Sequence, residues 1–106
     1  MVYPRSPGTP TAPQNLVATE GDGQVTLTWQ PPTSDNGSAI TNYRITRSAM
    51  SGGPFPFLNS SIVEIGNVLT YTDTGLTNGT TYFYTVSARN GRGTGLLSDE
   101  VSATPE

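Results

Sequence analysis

The chain has 106 residues, the length of one ordinary domain, with 33% hydrophobic and 12% charged residues. Small polar residues, 12 Gly and 9 Pro fill the difference, while 8% aromatics and a formal net charge of −3 fit a turn-rich folded domain better than a disordered coil. The absence of His and Cys excludes disulfides, thiolate nucleophiles, Cys/His metal centres and imidazole acid–base pairs, and five scattered Arg against eight acids leave no basic footprint for nucleic acid.

The chain opens on Met1-Val2-Tyr3-Pro4-Arg5-Ser6-Pro7-Gly8-Thr9-Pro10-Thr11-Ala12-Pro13, a stiff extended run whose prolines cannot join a helix or a central strand. Residues 1–9 are expected to be a Pro-rich linker or an appended extension, and residues 10–106 the domain itself. No apolar run resembles a signal-peptide core, and none approaches the ~20 residues that a membrane-spanning helix needs. Pro105-Glu106 closes the chain in the style of its opening, which suggests neighbouring domains on both sides.

Between these ends the hydrophobic pattern has period two, the signature of half-buried strands. Strands are expected over 15–19, 25–29, 43–46, 61–65, 69–73, 81–89 and 100–103. Val25, Leu27 and Trp29 share one strand face, as do Tyr43 and Ile45, with Arg44 and Thr46 turned outward. In the longest run Tyr82, Tyr84, Val86 and Ala88 form the core face and Phe83 lies opposite. Gly21-Asp22-Gly23, Asp35-Asn36-Gly37, Ser51-Gly52-Gly53, Asn78-Gly79 and Asn90-Gly91 punctuate the runs as turns. No window carries a helical stripe. The expected fold is all-β, a two-sheet antiparallel sandwich of about seven strands.

Trp29 before Pro31-Pro32, Tyr43 after Ile40, and Leu76-Thr77-Asn78-Gly79-Thr80-Thr81-Tyr82 leading to Ala88-Arg89-Asn90 sharpen this reading. In this order they resemble a fibronectin type III domain, an immunoglobulin-like sandwich without the inter-sheet disulfide. The resemblance runs from Pro10 to Pro105. It implies that Trp29 plugs the core, with Tyr43 and Leu76 as further structural positions. It also implies that Tyr82 is a corner tyrosine whose hydroxyl bonds backbone near Leu76. The stretch 49–68 is longer than the pattern expects, and its strand layout is left open.

Catalysis finds little support. The acids lie in predicted turns or at strand ends, where they read as solvated charge, so the chain is expected not to be an enzyme and to need no cofactor or metal. Asp35 and Asn36 make only a weak calcium pair. Three residues in two loops are candidates for interaction. Phe55 and Phe57 each follow a proline, Pro54 and Pro56, and can either cover an open sandwich edge or stack on sugar rings. Arg92 lies in the Gly-rich loop 90–94, where the integrin-binding fibronectin domain carries Arg-Gly-Asp; here Thr94 replaces the acid. The expected role is a non-catalytic spacer module of a secreted or cell-surface protein, monomeric in isolation. The alternative is a recognition or accessory domain that binds a protein or polysaccharide through these loops.

Overall fold

The computed structural model describes residues 8–48 and 61–106, and every regular element among them is a strand. In chain order these are β1 (Gln14–Gly21), β2 (Gln24–Gln30), β3 (Ile40–Ser48), β4 (Ser61–Glu64), β5 (Thr70–Asp73), β6 (Tyr82–Asn90), β7 (Gly93–Leu97) and β8 (Val101–Ala103). One antiparallel sheet has the order β1-β2-β5. The other runs β4-β3-β6-β7, and β8 pairs with the opening residues of β6.

The sandwich is as the periodicity predicts, with one strand more. β7 hides in the sequence because Gly93-Thr94-Gly95 reads as loop. An ideal Cβ on Gly95 would collide with the Pro10 carbonyl oxygen, so a glycine inside this strand marks the close approach of another backbone.

The core is the meeting of the two inner faces. Val25 and Leu27 of β2 face Tyr84, Val86 and Ala88 of β6, all of them buried, together with Trp29, Tyr43 and Ile45. Full burial of each aliphatic side chain stabilises the fold by roughly 1.5–3 kcal/mol. The Trp29 and Tyr43 rings meet tilted, 5.6 Å between centroids. Tyr82 and Leu76 pack against this cluster and are only partly buried.

The outward face departs from simple alternation. Thr46, Thr85 and Ser87 are buried although they point away from the core. They sit on the two central strands, where Ser87 lies between Arg44 and Leu97 in the register and Thr46 between Ile62 and Thr85. A short hydroxyl side chain between longer neighbours is shaded from solvent.

The chain enters at one end of the sandwich and leaves at the other. At the entry end, Gly8 N–H donates to Asn36 O and Thr11 N–H to Ser34 O, and Pro10 is buried. At the exit end, Gly79 N–H donates to Pro105 O, Glu106 N–H to Gly21 O, and Pro105 is buried. Gly79 has φ 86, the left-handed geometry that its Asn78-Gly79 turn requires.

Candidate functional site

The entry end carries a dense polar clasp. Asn90 closes β6 and is buried there. Its Nδ2 faces three carbonyls, Gly8 at 2.7 Å, Asp35 at 3.0 Å and Ser38 at 3.2 Å, while its Oδ1 accepts from Arg92 N–H at 2.8 Å. One amide thus ties the entering chain, the β2–β3 loop and the β6–β7 turn together. Within the loop, Asn36 Nδ2 donates to Thr9 O at 2.7 Å, and Thr11 Oγ1 accepts from Ser34 N–H at 3.1 Å.

Beside this clasp lies an open groove of about 650 Å³. Pro31, Pro32 and Asp35 form the β2–β3 wall, Asn67 and Leu69 the β4–β5 wall, and Tyr43 of β3 also lines it. The second wall is held to β3: Tyr43 N–H donates to Gly66 O, Ile65 N–H to Tyr43 O, and Gly66 N–H to Asn42 Oδ1. Tyr43 as a residue is 1% exposed. Burial pushes its pKa above the usual phenol value. Trp29 Nε1, in the ring that Tyr43 touches, is buried without a partner among the described residues.

Toward the exit end the sheets are joined by a polar triad. Arg47 Nη1 reaches both oxygens of Asp73, at 3.0 and 2.9 Å, and Tyr84 OH donates to Asp73 Oδ2 at 2.8 Å. Burial acts to lower the Arg47 pKa, but the hydrogen bond and charge of Asp73 outweigh it and the net shift is upward. The Tyr84 phenol is pushed far up, first by burial and then by the Asp73 carboxylate that accepts its proton. The Arg47 guanidinium also lies 5.6 Å from the centroid of the Tyr82 ring.

On the outer face, Glu64 Oε1 accepts from Asn42 Nδ2 at 3.0 Å, Arg89 Nη1 at 3.2 Å and Arg44 Nη2 at 3.4 Å. The Arg89 hydrogen bond is the main cause that holds the Glu64 pKa below the usual carboxylate range. The group is solvent-exposed, and exposed pairs of this kind add little stability.

The residues singled out from sequence fall apart in space. Trp29, Tyr43, Leu76 and Tyr82 belong to the core or its margin. Arg92 is exposed at the entry end. Phe55 and Phe57 lie outside the described residues. Among the described residues no group of three acidic side chains could hold a metal ion. Asp35 is instead committed to the loop, its Oδ1 accepting from Gly37 N–H at 3.0 Å. Sequence reasoning passed over Asn90 as a clasp, Asp73 as a buried acceptor, and the Pro31-Pro32 wall. Asn90-Gly91 reads as a plain turn signal, Pro31-Pro32 as part of the family resemblance, and nothing local marks Asp73.

These features define an all-β, immunoglobulin-like module, cysteine-free and pinned by a corner tyrosine, with Thr77 N–H donating to Tyr82 OH at 3.1 Å. The chain belongs to the fibronectin type III domain family, whose match spans residues 11–104. It is 38% identical over 99 residues to an amylopullulanase of Thermoanaerobacter thermohydrosulfuricus, covering 90% of this chain and 6% of that protein. It is also 38% identical over 102 residues to chitinase 63 of Streptomyces plicatus, covering 95% of this chain and 14% of the enzyme. Among solved structures, the twitchin kinase region from C. elegans superposes with a TM-score of 0.78 at 27% identity, over 92% of this chain and 17% of that one. The chain therefore spans a small fraction of the relatives it matches, and domains of its family occur as modules of larger proteins.

Proposed function

We propose that this chain is a non-catalytic spacer module of a larger secreted or surface protein, carried beside a carbohydrate-active catalytic domain. One observation carries the reading: the chain resembles, over nine-tenths of its length, a piece that makes up only 6% of an amylopullulanase and 14% of a chitinase. The fold supports it, because entry and exit segments are fastened at opposite ends and hold two neighbours apart at a fixed distance. Residues 1–9 are then the tie to the preceding neighbour, and the neighbouring domains are the principal partners.

The test uses the purified chain. Sedimentation should give a monomer, and incubation with starch, pullulan or chitin should release no reducing sugar. Hydrolysis that persists through purification and is lost on Asp35→Asn or Asp99→Asn substitution would overturn the non-catalytic reading. Retention on an insoluble polysaccharide that disappears in the Phe55→Ala/Phe57→Ala variant would favour the recognition alternative through that loop.

A further inference from the structure

We infer that the groove between the β2–β3 and β4–β5 loops is a binding site for one or two pyranose units of a neutral polysaccharide. Small-molecule sites usually enclose about 300–1,000 Å³, and this groove of about 650 Å³ falls within that range. Its walls are preformed. The Pro31-Pro32 side is anchored through Ser34 and Asp35 to Thr11 and Asn90, and the Asn67–Leu69 side through Gly66 to Asn42 and Tyr43. A site whose walls are already held by backbone hydrogen bonds loses little freedom when a ligand enters.

The lining chemistry selects the ligand class. Pro31, Pro32, Ile40 and Leu69 offer aliphatic surface, and among the described residues the only charged one in the lining is Asp35. An anionic ligand would meet this carboxylate without a counter-charge, and a wholly apolar one would strip water from Asp35 and Asn67. A sugar ring satisfies both kinds of surface, with C–H faces against the prolines and leucine and hydroxyls toward the polar groups. Asp35 can accept from a sugar hydroxyl, Asn67 can accept and can donate the proton that Ile40 O at 3.3 Å does not take, and the Tyr43 hydroxyl is a groove-lining donor and acceptor. A phenol that lines the groove can meet a ligand hydroxyl or water there.

The choice of sugars rests on the module reading above, whereas the site itself rests on the groove. The experiment is a titration of the ¹⁵N-labelled chain with maltohexaose in one arm and chitohexaose in the other, followed by amide shifts. Binding is expected with a Kd on the order of 1 mM, with shifts confined to Thr33–Asp35, Ile40, Tyr43 and Asn67–Leu69. Tyr43→Phe, which keeps the ring packing, should weaken it roughly 3–10-fold, the range of one hydrogen bond. Leu69→Glu, at an exposed position, should abolish it and remains informative if Tyr43→Phe unfolds. Saturable shifts with one sugar alone identify the polysaccharide. No saturable shift with either sugar, shifts centred elsewhere, or binding untouched by both substitutions overturns the inference. Failure of binding leaves the module reading standing, because that reading is decided by hydrolysis and sedimentation.

Discussion

Thr77 N–H donates to the Tyr82 hydroxyl at 3.1 Å, five residues back along the chain, so the ring that enters the core from β6 also fastens the crossing before it. The oxygen is therefore an acceptor here, and its bond can be removed without disturbing the ring. Tyr82→Phe should cost about 1 kcal/mol, the net worth of one hydrogen bond near solvent. Urea denaturation measures it, and a variant as stable as the parent would remove the corner role from this residue.

Asn90 makes a sharper case because its amide faces three carbonyls from within the protein. Asn90→Ala should cost about 2–4 kcal/mol by leaving buried acceptors unsatisfied. Asn90→Asp should cost more at neutral pH, since a carboxylate would face those oxygens with no proton to offer. The gap between the two variants should narrow in acid, where the carboxyl regains a donor. Thermal melts at pH 7 and pH 4 test the pair. An Asp variant as stable as the Asn parent at pH 7 would show that the clasp adds nothing.

Gly95→Ala should displace the entering chain from β7, because the added methyl would collide with the Pro10 carbonyl. Loss of about 2 kcal/mol or more is expected, together with faster amide exchange at Gly8 and Thr11, whose bonds to Asn36 and Ser34 depend on that seat. Unchanged exchange at both amides would contradict it.

The phenols set the alkaline limit. Tyr84 and Tyr43 both have pKa values raised in the folded state, so between the unfolded phenol value near 10 and the folded value the unfolded chain has lost protons that the folded chain keeps. The stability they contribute is fully present below about pH 10 and declines as pH rises above it. Denaturation followed from pH 7 to 12 should show a plateau and then a fall, with a shallower fall in Tyr84→Phe. Identical alkaline slopes in the two proteins would exclude Tyr84 as the cause.

Trp29→Ala empties the largest ring from the sandwich and should cost about 3–5 kcal/mol. Near-native stability in that variant, read by denaturation, would contradict its placement against Tyr43.

The inner faces could be read from the chain because strand alternation is enforced by burial on one side only. Val25, Leu27, Trp29, Tyr43, Ile45, Tyr84, Val86 and Ala88 obey it and form the core. The rule loses force at the centre of the larger sheet, where Thr46, Thr85 and Ser87 are covered without being apolar. β7 escaped because its Gly95 answers to Pro10, 85 residues away, and periodicity carries no such distant term. The groove was invisible for a related reason. Pro31 and Pro32 end a strand whatever lies opposite, and nothing local announces that Asn67 and Leu69 will stand across from them.

The fastening of the two termini at opposite ends has a mechanical consequence. Tension applied along the chain does not first peel a strand from either sheet. At the entry end it bears on the Gly8 and Thr11 backbone bonds and on the Asn90 amide, all set before β1 begins. At the exit end it meets the Pro105 and Glu106 bonds and the Thr81–Thr104 hydroxyl pair before it reaches β8. These short side bonds act as strain relief, so small pulls are absorbed in the tethers while the register of the sandwich stays intact.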